Sequence, residues 1–147
     1  MKSQPVLILE PDPALRNHLA SLLRQWGYIP LPVGSIHQAL DAVSRTRFSL
    51  SLVEMDLNGA DAIELLRRLK LRGENSGPII VLSDPLDLDR IAQANSLGID
   101  DFLQKPFSPE EAASIGRWMD GGVKLLMALD PEAGLDEKEI LTPFAPT

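Results

Sequence analysis

Short, nearly unbroken apolar runs alternate along the chain with longer segments in which apolar residues recur every three or four positions. The runs lie at residues 5–9, 28–33, 48–53, 78–82 and, shorter, 101–103, and the central ones are nearly continuous Val, Ile and Leu. Continuous apolarity over so few residues predicts strands covered on both faces, as in a parallel sheet. The intervening segments carry the helical period, so the chain reads as five βα units of an α/β fold.

The helix ends are marked by capping chemistry. Asp12 followed by Pro13 predicts an N-cap with proline at the first helical position; Leu15, Leu19, Leu22, Leu23 and Trp26 then form one face before Gly27 ends the helix. Ser35 opens a second helix that buries Ile36, Ala39, Leu40 and Val43. A third buries Ala62, Leu65, Leu66 and Leu69 and leaves Arg67, Arg68, Lys70 and Arg72 on or near its wet side, a cluster that reads as a solvated face rather than a phosphate-binding patch. The fourth, at 86–97, is the least regular. The fifth opens with Ser108-Pro109-Glu110-Glu111, a capping box.

Beyond that box the spacing of Ile115, Met119, Val123 and Leu126 runs on across Gly121-Gly122. The last helix is therefore expected to extend to Leu129, with Val123, Leu126 and Met127 forming an apolar strip for a second copy or a partner helix. This divides the chain into a core domain, 1–120, and a C-terminal helical extension with an acidic tail or linker, 121–147.

Composition narrows the function. A length of 147 residues suits one domain. Fourteen basic against 21 acidic side chains leave a net charge of −7, which disfavours nucleic acid and anionic membrane and favours a protein partner. The chain has no cysteine, and its two histidines, His18 and His37, are too few for the usual zinc sites. No apolar run is long enough to span a bilayer, and acid arrives at Glu10, too early for a signal peptide, so a cytoplasmic location is expected. Any chemistry must rest on carboxylates, hydroxyls and lysines.

Ligands of parallel α/β sheets bind beyond the carboxyl ends of the strands. There the sequence offers Glu10, Pro11 and Asp12 after the first strand, Glu54, Met55 and Asp56 after the third, Ser83 and Asp84 after the fourth, and Lys105-Pro106 after the fifth. Carboxylates, a hydroxyl and an ammonium meeting in one pocket suit a hard cation and a phosphoryl group. No glycine-rich loop comes after the first strand, which argues against a nucleotide or flavin site.

The segments VLILEPDPALR, RQWGY, LVEMDLNGADAIELLRRL, PIIVLS and GIDDFLQKPFSPEE together resemble the receiver domains of two-component response regulators over residues 5–119. The resemblance implies a flavodoxin-like, doubly wound five-stranded sheet of order 2-1-3-4-5 with five helices. It also implies an aspartate at the end of strand three that accepts a phosphoryl group from a histidine kinase, and Mg²⁺ held by an acidic pair after strand one. A hydroxyl and a lysine then grip the phosphoryl oxygens, an aromatic switches position, and the fourth helix, fifth strand and fifth helix meet the partner. Carried over, Ser83, Phe102, Lys105 and Pro106 fit, and Glu10 matches the first member of the acidic pair.

Other positions depart from that pattern. Pro11 stands where the direct metal ligand is expected, Glu54 at the acceptor position, Asn58 in place of the usual proline before the retained Gly59, and Asp84 where a small residue leaves room for phosphoryl entry. The remaining Mg²⁺ candidates are Glu10, Glu54 and a backbone carbonyl near Asp56, a weak set, so no cofactor is expected. Glu54 is expected to accept a bond from Ser83 and to pair with Lys105. The leading expectation is a non-enzymatic, phosphorylation-independent receiver-like module that binds protein partners. The rival is a phosphorylatable receiver using Asp56 or Glu54, as the front part of a longer regulator with an output domain.

Overall fold

The computed structural model describes residues 5–57, 62–71, 77–83, 88–106, 111 and 115. Its elements alternate strictly: β1 (Val6–Leu9), α1 (Pro13–Gln25), β2 (Pro30–Val33), α2 (Ile36–Arg45), β3 (Leu50–Glu54), α3 (Ile63–Leu71), β4 (Ile79–Ser83), α4 (Leu88–Ser96) and β5 (Asp101–Gln104). All pairings are parallel and the order is β2-β1-β3-β4-β5. Four helices lie among the described residues; the expected fifth helix, the Gly121-Gly122 crossing and the strip of Val123, Leu126 and Met127 lie outside them, as do Asn58, Gly59 and Asp84.

Burial explains why the apolar runs are unbroken. Every residue of β1, β3 and β4 is buried, because helices cover both faces of the central strands. On one face Val6, Ile8, Leu50, Leu52, Ile80 and Leu82 pack against Leu19, Leu22 and Leu23 of α1 and against Ile115. On the other, Leu7, Leu9, Val53, Ile79 and Val81 meet Ala39 and Val43 of α2, Leu65, Leu66 and Leu69 of α3, and Ala94 of α4. Asp12 caps α1 as expected, accepting from the Ala14 amide at 3.1 Å, and Ser35 caps α2 through Gln38. Arg67, Arg68 and Lys70 are exposed on α3.

The strand limits shift slightly from the apolar runs, for hydrogen-bonding reasons. The β2 strand starts at Pro30, since the Tyr28 amide still donates to Leu23 and closes the end of α1. Both β3 and β4 run one residue further than expected, because polar Glu54 and Ser83 keep their register opposite Leu82 and Gln104. The edge strand β2 carries its own protection. The carbonyls of Ile29 and Val33 accept from Val6 and Glu10 of the β1 side, so by the period of two Pro30 and Pro32 face outward, where they remove the N–H donors another strand would need.

Gly77 leads into β4 with φ of +70°, and a Cβ there would lie 2.5 Å from the Ser49 carbonyl oxygen. Both the backbone conformation and the contact exclude a side chain. Gly77→Ala is expected to destabilise the fold by at least roughly 1–2 kcal/mol, read as a lower denaturant midpoint with an unchanged slope.

Candidate functional site

The parallel register brings three strand ends to one level. Leu9 stands opposite Val53, Glu54 opposite Leu82, and Ser83 opposite Gln104, so Glu10, Glu54 and Lys105 emerge side by side at the carboxyl edge of the sheet. Backbone pairing continues just past the strands: the Glu10 amide donates to Val33 at 3.1 Å and the Lys105 amide to Ser83 at 2.8 Å. This edge lies at the point where strand order reverses around β1, the usual ligand position of such sheets.

One ammonium serves two carboxylates. Lys105 Nζ donates to Glu54 Oε1 at 2.6 Å and also to Glu10 Oε1. The second oxygens are used as well: Glu10 Oε2 accepts from the Asp12 amide at 3.0 Å, and Glu54 Oε2 from the Asp56 amide at 3.2 Å. Each carboxylate therefore turns its own chain back by a bond to the residue two positions on. Glu10 is 1% exposed and Glu54 6%, whereas the Lys105 side chain keeps 22%.

The expected Glu54–Lys105 pair is present, with Glu10 as a second acid on the same cation. Ser83 is buried at the end of β4, and Glu54 accepts from Lys105 and the Asp56 amide. Asp12 is an exposed helix cap. Asp56 does not reach Lys105: its carboxylate is 60% exposed and pairs with Arg90 of α4 at 3.4 Å. Phe102 is half-buried and packs with the α2–α3–α4 side of the core. His18 and His37 are exposed on their helices.

Two cations are not evident from the sequence pattern. Arg16 Nη1 donates to the carbonyls of Glu10 and Pro11 at 2.9 and 3.3 Å, and the same nitrogen would stand 2.5 Å from a Cβ at Gly34. Its place one turn into α1 is a usable signal, since it lies four residues beyond the cap. Arg90 gives no local signal, because only the tertiary fold brings α4 to the β3–α3 connection.

The electrostatics come from two anions sharing one cation in a half-closed pocket. Burial pushes the Glu54 carboxyl above its ordinary 4.5; the bond and charge of Lys105 and the Asp56 amide pull against that rise, and the negative charge of Glu10 adds to it. Burial alone would lower Lys105, but the two carboxylates outweigh it and hold the ammonium above its ordinary 10.5.

The donor set does not fit a resident Mg²⁺. Such an ion wants near-octahedral oxygen ligands, yet Pro11 has no side-chain oxygen, its carbonyl is bound by Arg16, and the two carboxylates close on Lys105. Among the described residues no group of three acidic, histidine or cysteine side chains is placed to hold a metal. No helix among them is long and apolar enough to cross a membrane.

The family model described as response regulator receiver domain matches residues 6–115. This chain belongs to the response regulator receiver domain family. The receiver domain is 33% identical over 108 residues to the DNA-binding response regulator MtrA of Mycolicibacterium smegmatis, covering 74% of this chain and 46% of that protein, so the chain spans about half the length of such relatives. It is 32% identical over 111 residues to sporulation initiation phosphotransferase F of Bacillus subtilis, covering 76% and 89% of the two chains. Among solved structures it is similar to the receiver domain of sensor histidine kinase PA1611 from Pseudomonas aeruginosa PAO1, a structure with a magnesium ion coordinated in the active site cleft. That match has a TM-score of 0.66 and 28% identity over 78% of this chain and 96% of the other. The flavodoxin-like order 2-1-3-4-5 implied by the resemblance is the order found here.

The linkage between this receiver domain's pocket and its stability has a definite sign. A raised folded value for Lys105 contributes stability that is fully present below 10.5 and is lost as pH rises through the folded value. Glu54 has the same sign in its own, lower window: stability falls as pH rises from 4.5 through its raised value, because ionising it in the pocket is costly. Lys105→Met, which leaves two buried acids without their cation, is expected to cost on the order of 3 kcal/mol at neutral pH. Glu54→Gln keeps Lys105 on Glu10, and is expected to change stability by less than about 1 kcal/mol and to flatten the profile above pH 4.5. Urea unfolding of the three proteins across pH checks both.

Proposed function

We propose that this receiver domain signals by protein–protein contact without phosphorylation, and that Glu54 stands permanently where a charged acceptor would otherwise appear and disappear. The observation that carries the reading is the bridge from Lys105 to both Glu10 and Glu54. A receiver that accepts phosphate needs a divalent ion to offset the phosphoryl charge and a carboxylate free to attack. Here the protein's own ammonium bridges the acidic ends of β1 and β3 and offsets one of their two charges, Pro11 supplies no side-chain metal ligand, and the Glu54 oxygens are both engaged. The extra methylene of glutamate also moves the attacking oxygen by about one bond length, and a displacement of about 1 Å costs on the order of a hundredfold in rate.

The module is read as a regulator and not as an enzyme. Its partner face is proposed to include α4, β5 and the segment after them, with Phe102 in that surface and Val123, Leu126 and Met127 as an added strip for a partner helix or a second copy. An acidic chain of net −7 suits a protein partner better than nucleic acid. A rival reading keeps phosphotransfer through Asp56 or Glu54 in a longer regulator.

Incubation with acetyl phosphate and excess Mg²⁺, with intact-mass measurement afterwards, separates the readings. No phosphoryl adduct is expected. A stable adduct abolished by Glu54→Gln or by Asp56→Asn would overturn the proposal and name the acceptor. Glu54→Ala is expected to weaken capture of the partner from native extract, whereas unchanged capture with altered stability would reduce the pair to packing.

A further inference from the structure

A second surface lies away from the pocket. Between α3 and α4 runs a groove lined by Ile63, Glu64 and Arg67 on one side and Gln93, Ser96 and Leu97 on the other. Beside its α3 wall the helix carries an excess of basic side chains, against the trend of the whole molecule. Arg67, Arg68 and Lys70 are exposed there with Glu64 as the exposed acid of the same helix. That one carboxylate is shared, at 3.9 Å from Arg67 and 3.3 Å from Arg68, while Lys70 donates to the Gly98 carbonyl at 3.1 Å. Leu71 closes the helix with 86% of its surface exposed. The surface thus combines excess cation with apolar contacts at Ile63, Leu97 and Leu71.

The chain itself contains the complementary ligand. Residues 129–141 read LDPEAGLDEKEIL, in which Leu129, Leu135, Ile140 and Leu141 alternate with Asp130, Glu132, Asp136, Glu137 and Glu139 against the single base Lys138. Reach is sufficient. Twenty residues separate Ile115 from Leu135, which spans about 65 Å if extended and about 30 Å if wholly helical, against a radius of gyration of roughly 13–14 Å for a domain of this size.

We propose that the acidic segment 129–141 docks on the α3–α4 groove of its own chain, its carboxylates meeting Arg67, Arg68 and Lys70 and its leucines meeting Ile63, Leu97 and Leu71. The occupant is intramolecular because tethering raises its effective concentration into the millimolar range, where weak ion pairs and a few apolar contacts suffice. The consequence is a face covered by the chain's own tail, distinct from the Lys105 pocket and independent of its charge state.

Zero-length carbodiimide coupling of the full chain, read by peptide mass spectrometry, tests this. Amide links from Lys70 to Asp136, Glu137 or Glu139 are expected, with yields that fall several-fold at high salt and in the surface variant Arg67→Ser/Arg68→Ser. A mixture of isotope-labelled and unlabelled chains should give links within one isotope only. Mixed-isotope links would assign the groove to a second copy and overturn the proposal, as would the absence of Lys70 links or yields indifferent to both salt and the double substitution.

Discussion

The pocket depends on one constraint: two buried carboxylates, from the ends of β1 and β3, share a single ammonium from the end of β5. An unpaired charge at either position would be expensive, since desolvation outweighs most of what a distant partner returns. Lys105 resolves this by reaching across β4 to both acids, and the amides of Asp12 and Asp56 complete their coordination. The arrangement still leaves one negative charge in excess. Burial is the main reason Glu54 is held above its ordinary range even with a cation in contact, with the charge of Glu10 adding to it, and the two carboxylates hold Lys105 above its own.

The fold delivers this meeting through the sheet. Parallel order β2-β1-β3-β4-β5 sets all carboxyl ends at one edge, and full burial of β1, β3 and β4 fixes their register, because a one-residue slip would exchange the two faces that α1 and α2–α4 cover. The edge positions are then determined to within a residue. Chemistry at the edge is carried by the last residue of a strand or the first beyond it, so a change there alters function while leaving the core untouched.

Most of the architecture is legible in the sequence because the signals are local. Unbroken runs of Val, Ile and Leu mark the covered strands, and Asp12-Pro13 and Ser35 mark helix starts that the capping bonds bear out. The pairing of Glu54 with Lys105 is also legible, through the resemblance that sets both at strand ends. The illegible part is three-dimensional. Glu10 as a second partner of Lys105 depends on a side chain crossing two strands, and Arg90 on Asp56 depends on where α4 comes to lie. The apolar runs stop one residue short of the strand ends at Glu54 and Ser83, because backbone register is indifferent to side-chain polarity.

Under the proposed reading, Lys105 is the resident cation of the pocket in place of a divalent one. The most direct test is a Mg²⁺ titration of the full chain, monitored through the backbone amide resonances of Glu10, Asp12, Glu54, Asp56 and Lys105. Only the small, unsaturating drift that ionic strength produces is expected, matched by potassium chloride at equal ionic strength. Saturable displacement of those amides by millimolar Mg²⁺, abolished by Glu10→Gln, would contradict it.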